Sequence, residues 1–303
     1  MDPLDGELGL SAVSTSADIR RPRQSRAKSL VIISSNSGSI TPVIEAKIRK
    51  RFENSLIVEF DPKMALEPLL TPTATVVVAG GDGTIGWAVR RLVDTKHPLG
   101  IISMGTFNNF AKSLQLPTTL DAAVRVIEKG SPRPITLGRI NGNVFLEAAA
   151  IGLFGESIAA GDSAKERAFG AFAQSAKRVI AARPFTYELT GDIKGSGSVM
   201  SLVFTNTPST GAQLPVSDKT PVDPYLELSV HAGSSRTDLV KRVLARTVLS
   251  KTEEHGLGQM FQFRELHVTT KPRAQIYADN VRLGRTPASI TAELSSLRVV
   301  MPR

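Results

Sequence analysis

The 303-residue chain contains no cysteine. That excludes disulfides, thiolate metal sites and a cysteine nucleophile. It also lacks any apolar run near the ~18–20 residues a helix needs to cross a bilayer. Its start, Met1-Asp2-Pro3-Leu4-Asp5-Gly6-Glu7, is acidic and without the basic-then-apolar order of a secretory signal, so a cytoplasmic location is expected. Aromatic residues make up only 5%, and no DNA- or RNA-reading motif is present, which argues against a nucleic-acid partner. The four histidines, His97, His231, His255 and His267, show no metal-ligand spacing.

What is present is the composition of a soluble α/β protein, 41% hydrophobic and 21% charged. The length suits two modest domains. The formal charge is +9 and the pI near 9.9. Residues 1–28 carry a mixture of both signs without periodicity and read as a disordered tail. The positive charge therefore resides in the folded body, which suits an anionic partner such as a phosphorylated ligand or an acidic membrane surface.

The most informative stretch is Thr75-Val76-Val77-Val78-Ala79-Gly80-Gly81-Asp82-Gly83-Thr84. The β-branched run predicts a buried strand. The amphipathic pattern of Ile85, Ala88, Val89 and Leu92 predicts a helix directly afterwards. A strand, a glycine turn and a helix aim backbone N–H groups and a helix dipole at an anion. Among those donors Asp82 is placed to hold Mg²⁺, and Thr84 offers a hydroxyl to a phosphate or to the first helical turn. No Lys-Ser/Thr pair follows the glycines, so this is not a Walker loop.

Two further small-residue loops follow predicted strands. Leu30–Ser34 leads into Ser35-Asn36-Ser37-Gly38, and Leu99–Ser103 leads into Met104-Gly105-Thr106-Phe107-Asn108-Asn109. A helix with Ile44, Ile48 and Phe52 on one face, a strand at Leu56–Phe60, a short helix at Pro62–Leu70 and a helix at Thr119–Glu128 complete the alternation. This order implies a parallel sheet whose ligand lies outside the strand C-termini, where all three loops would meet. Pro132 and Pro134 punctuate the chain, and Asn141-Gly142 between apolar runs predicts a hairpin. Strands are expected at Thr186–Leu189, Met200–Thr205, Leu226–Val230, Leu266–Thr269 and Gln275–Tyr277, with a short last one at Leu297–Met301. Two helices interrupt them, one presenting Phe169, Phe172, Ala176 and Val179 and the other spanning Thr237–Leu249. The expected fold is thus α/β plus β: a tail at 1–28, an α/β domain at 29–134 plus 288–303, and an antiparallel β-rich domain at 135–287, with the active site in the cleft.

Gly80-Gly81-Asp82-Gly83-Thr84, followed by Gly105-Thr106-Phe107-Asn108-Asn109-Phe110-Ala111-Lys112-Ser113-Leu114, resembles the diacylglycerol kinase catalytic-domain family. The first motif is shared with NAD kinases and phosphofructokinases; the second separates them. The resemblance implies ATP- and Mg²⁺-dependent transfer of the γ-phosphoryl group to a lipid alcohol such as diacylglycerol, with peripheral contact at an anionic membrane face. It places ATP on Ser34, Ser37, Gly38, Gly80, Gly81, Asp82, Gly83, Thr84, Gly105, Thr106 and Asn108. The spacing Asp279-Asn280-Val281-Arg282-Leu283-Gly284-Arg285-Thr286-Pro287 gives Asp279 the general-base role, beside Asp82. Asp82 and Asp223 are the implied metal ligands. Lys112, Arg282 or Arg285 would offset developing charge.

Departures from the family pattern leave alternatives open. Val281 stands where a glutamate is usual, Ser34 where an asparagine is usual, and Val222-Asp223-Pro224-Tyr225 retains one aspartate of an Asp-Asp-Gly stretch. A catalytically weakened nucleotide- or lipid-binding homologue, or a kinase of a soluble substrate like the NAD kinases, would also fit. Oligomeric state is not legible.

Overall fold

The computed structural model of the chain describes residues 29–72, 74–155, 183–211, 214–231, 260–279 and 281–303. The expected tail, both expected interrupting helices and Asn280 lie outside the described residues.

The first lobe is the expected parallel sheet. Strands β1 (Ser29–Ile33), β2 (Leu56–Glu59), β3 (Thr75–Gly80) and β4 (Leu99–Ser103) run parallel in the order β2-β1-β3-β4. Helices α1 (Pro42–Arg51), α2 (Asp82–Leu92), α3 (Asn109–Ser113) and α4 (Leu120–Lys129) follow them. Alternate residues of β1 and β3 enter different cores: Leu30, Ile32, Val76 and Val78 join one cluster, and Val31, Ile33, Val77 and Ala79 the other. A sheet buried on both faces explains why these strands are unbroken apolar runs rather than alternating ones. The segment 62–70, expected to be a short helix, forms only a 3-10 turn at Glu67–Leu69. Pro68 there removes a backbone donor, which limits the turn's extension.

Two strands join this lobe to the next. β5 (Ser131–Ile140) pairs antiparallel along its whole length with residues 290–301 of the last strand, Ala288–Met301, with one register shift between Leu294 and Leu297. The short strand expected at Leu297–Met301 is therefore the end of a 14-residue one. Pro132 and Pro134, read as punctuation, sit inside β5. The first half of β5 has a paired neighbour on one side only, so the missing proline donors break no ladder. The sequence break expected near 134/135 thus falls within a continuous ribbon.

The second lobe is two packed sheets. The hairpin β5–β6 (β6, Asn143–Phe145) turns on Asn141 (φ 47°) and Gly142 (φ 81°), the left-handed pair that a two-residue turn requires. Next come β7 (Ala148–Gly152), β8 (Phe185–Gly191), β9 (Gly195–Val199), β10 (Ser201–Thr205) and the two-residue strands β11 (Ser209–Thr210) and β12 (Leu214–Pro215). Then follow β13 (Leu226–His231), β14 (Met260–Phe263), β15 (Glu265–Lys271), β16 (Gln275–Ala278), β17 (Val281–Arg285) and the final strand, β18. β15, β8 and β9 extend the first sheet past β18, while a six-stranded sheet runs β14-β13-β10-β7-β16-β17. Leu189, Leu266, Val268 and Ile290 from the first sheet bury against Ile151, Leu202, Phe204 and Ile276 from the second.

Gly138, on β5, faces the ring of the fully buried Phe145; a Cβ there would lie 2.0 Å from the ring. The neighbour is an aromatic ring in a packed core, so Gly138→Ala is expected to destabilise the fold by about 1–3 kcal/mol. The urea-unfolding midpoint, compared with that of the parent chain, checks this.

Candidate active site

The three polar loops meet. Ser37 Oγ accepts the N–H of Gly81 at 3.2 Å. Gly81 and Gly105 touch backbone to backbone: a Cβ on Gly105 would lie 2.6 Å from Gly81 Cα. Asn108, in the left-handed region at φ 54°, accepts the Gly105 N–H through Oδ1 at 2.9 Å and donates back to the Gly105 carbonyl at 3.0 Å. Its own N–H donates to Asp82 Oδ2 at 2.8 Å, tying the third loop to the second. Glycine is needed at 81 and 105 because side chains would drive these loops apart.

Together they wall a cavity of about 420 Å³. Ser37, Gly38, Gly81, Asp82, Gly83, Gly105 and Thr106 line it, and so does Asp279 from the other lobe. Ser34, Gly80, Thr84 and Asn108 are not on its wall. Thr84 is buried beneath Gly80, whose missing side chain makes room for it. Ser34 is buried and closes the first loop by accepting the Ser37 N–H. These residues shape the loops from behind.

Asp82 opens α2, where the helix N-terminus supplies unpaired N–H groups. Its Oδ1 is buried with no hydrogen-bond partner among the described residues. Burial raises its pKa; the amides of Asn108, Phe110 and Asn109 and the charge of Lys112 oppose the rise. A carboxylate oxygen left over in this way fits a hard divalent cation.

Asp279 follows β16 with φ at 38°, a left-handed conformation that aspartate tolerates better than most residues. Its carboxylate receives the N–H of Leu146 at 3.1 Å and of Glu147 at 2.9 Å. Arg90 Nη2 lies 2.7 Å from its Oδ2. Burial raises the Asp279 pKa, and Arg90 and the backbone amides pull the other way. Arg90 belongs to α2, two turns after Asp82 on the same face, with Gly86 between them. A Cβ on Gly86 would come within 3.0 Å of the Arg90 guanidinium, so this glycine lets Arg90 lie along the helix toward Asp279.

Arg90 and Glu147 escaped the sequence reading. Arg282 and Arg285, considered for charge compensation, are exposed on β17, away from the cavity wall. Lys112 acts on Asp82 without lining the cavity. The available signal for Arg90 was its i, i+8 spacing from Asp82. Glu147 lies on the cavity wall, where its Oε2 receives the N–H of Gly211 at 3.0 Å and Asn109 Nδ2 at 3.2 Å. Burial, then the charges of Asp279 and Asp82, push its pKa up to about 8. Asp223 lies elsewhere: its Oδ2 receives the N–H and hydroxyl of Thr220.

The raised Glu147 carboxyl has a stability consequence. Between pH about 4.5 and about 8 the folded chain binds a proton that the unfolded chain has lost. Its contribution to stability is complete below that window and disappears as pH rises through it. Glu147→Gln is expected to remove this decline, so the variant gains on the parent as pH goes from 5 to 9. Urea midpoints of both proteins across that range check the sign.

Residues 29–140 match the diacylglycerol kinase catalytic domain family. Diacylglycerol kinase of Bacillus subtilis (strain 168) is 28% identical over 251 residues, covering 79% of this chain and 81% of that protein. An uncharacterized protein of Synechocystis is 26% identical over 238 residues, covering 75% of this chain; the chain spans 54% of that relative's length. The crystal structure of a diacylglycerol kinase from Bacillus anthracis superposes with a TM-score of 0.66 at 18% identity, over 90% of this chain and 96% of that one, and so shares the fold. The two glycine motifs lie inside the matched segment: residues 29–140 carry the diacylglycerol kinase catalytic domain, and the chain as a whole shares the two-lobed fold of that solved structure.

Proposed function

We propose that the chain is an ATP-dependent lipid kinase that transfers the γ-phosphoryl group of ATP to the hydroxyl of a long-chain lipid such as diacylglycerol. One observation carries the reading: Asp279 of the second lobe and the Ser37, Gly81 and Gly105 loops of the first line the same cavity. Backbone N–H groups at the start of α2 and along the glycine loops receive the phosphates. Asp82, with its unpartnered buried oxygen, would hold Mg²⁺, which when bound neutralises phosphate charge.

The acceptor hydroxyl attacks the γ-phosphorus in line as the bond to the bridging oxygen breaks, and the electron pair leaves with ADP. The hydroxyl proton passes to the Asp279 carboxylate. Two amides and Arg90 fix that carboxylate before substrate arrives. Arg90 favours its ionised form, which is the form that can accept a proton. Glu147, neutral below pH about 8, keeps a third negative charge away from the triphosphate.

The acceptor side of the cavity supports a lipid over a soluble alcohol. Val281, where the family pattern has glutamate, lines the cavity with 53% of its surface exposed, and Leu146, Phe107 and Phe110 line the same cavity. Apolar side chains in the cavity wall suit an acyl or prenyl chain better than a nucleoside or sugar. The basic body suits an anionic bilayer from which such a substrate would be drawn.

The test is phosphoryl transfer from labelled ATP to diacylglycerol, a sphingoid base and a prenol in mixed micelles. Radiolabelled lipid is expected from the parent chain. Asp279→Asn is expected to lower kcat by about 10²–10⁴-fold with little change in the KM for ATP. Asp82→Asn is expected to weaken use of Mg-ATP. Full activity in Asp279→Asn would remove the base assignment, and nucleotide binding without turnover on any alcohol would favour a binding protein.

A further inference from the structure

Lys219 is the buried charge that this chemistry leaves unexplained. It is 2% exposed, and a lysine so enclosed is rare unless its ammonium is paired. Its Nζ donates to Asn206 Oδ1 at 2.9 Å and to the Thr220 carbonyl at 2.7 Å, and stands 5.7 Å from the centre of the Tyr225 ring. The charged groups facing it are Asp223 and Glu227; burial lowers its pKa to about 8 against their pull. An amide oxygen, a backbone carbonyl and carboxylates nearby are the surroundings in which a hard metal cation is usually held. Here an ammonium occupies them. Asp223 meanwhile spends Oδ2 on the N–H and hydroxyl of Thr220, and no group of three metal-capable side chains exists among the described residues.

The partner of that ammonium leads to the active site. Asn206 is fully buried, and its Nδ2 donates to the carbonyls of Leu146 and Thr136, each at 3.0 Å. Its backbone N–H donates to the carbonyl of Glu147 at 2.8 Å. Leu146 and Glu147 are the residues whose own N–H groups hold Asp279. Lys219 therefore fixes the amide of Asn206, Asn206 fixes the 146–147 backbone from its carbonyl side, and that backbone fixes Asp279 from its N–H side. An amide side chain can flip; the ammonium on Oδ1 forces Nδ2 toward the two carbonyls.

We propose that Lys219 is a built-in cation that replaces a metal ion in the second lobe and acts as a positioning residue for Asp279. The consequence for catalysis rests on the lipid-kinase reading; the consequence for structure does not. Three measurements on the full chain test it.

First, the thermal midpoint of Asp82→Asn, which lacks the nucleotide-side carboxylate, is expected to be the same in EDTA and in Mg²⁺ or Ca²⁺. A rise with either ion in that background would put a metal in the second lobe and overturn the proposal. Second, in Lys219→Met, Leu146 and Glu147 amides are expected to exchange with deuterium about tenfold or more faster than in the parent, while β1 and β3 amides are unchanged. Unchanged exchange at Leu146 and Glu147 would overturn the positioning role. Third, kcat is expected to fall about tenfold with the KM for ATP preserved, the pattern of a displaced base rather than a lost binding group. Should Lys219→Met fail to fold, Lys219→Gln keeps a donor without the charge. Parent-like protection in Lys219→Gln would show that the cation is dispensable and overturn the proposal; faster exchange would support it. Failure of the lipid-kinase reading would appear as a parent chain without turnover, with the exchange measurement still deciding the place of Lys219.

Discussion

The carboxylate of Asp279 is where the two lobes are held to each other's chemistry. From one side it takes the guanidinium of Arg90, carried on the helix that starts with Asp82. From the other it takes the amides of Leu146 and Glu147, in the break between β6 and β7. A partly buried carboxylate without these donors would be costly in its charged form. The cost of taking it out of water is offset by donors from segments more than a hundred residues away in sequence, so Asp279 and the glycine loops keep a common geometry.

The same cavity divides its acids by their surroundings. Burial raises the pKa of Asp82, Glu147 and Asp279 alike. Asp82 is opposed by three amides and Lys112, and Asp279 by Arg90 and three amides. Glu147 receives hydrogen bonds but is half-buried and faces the two aspartates, and its pKa rises to about 8. Three negative charges around a triphosphate would be repulsive. Near neutral pH the fold leaves Glu147 protonated, while amides and a cation restrain the rise at Asp82 and Asp279.

Tertiary contacts explain where local sequence signals misdirected. Pro132 and Pro134 suggested a boundary, yet they occupy the unpaired edge of β5, where no donor is missed. The final strand was legible only at its apolar end, Leu297–Met301, because Glu293 to Ser296 interrupt the pattern at the register shift. β9 and β17 carry exposed, glycine-containing sequences and become strands by pairing with stronger neighbours, β8 and β16. The parallel strands were legible because a sheet buried on both faces writes itself as continuous Val, Ile and Leu.

The chain's sequence by itself determined the parallel sheet, the three small-residue loops at its strand ends and the kinship of their motifs. All of these are local: a β-branched run, a glycine that permits close approach, an aspartate at a helix start. Only the tertiary structure decided that Gly81 and Gly105 touch, that Arg90 rather than Arg282 or Arg285 meets Asp279, that Glu147 stands half-buried on the cavity wall and that Lys219 is buried. An arginine, a glutamate and a lysine look like solvated surface in any one-dimensional pattern. Their role comes from which distant backbone groups surround them, and that is a property of packing.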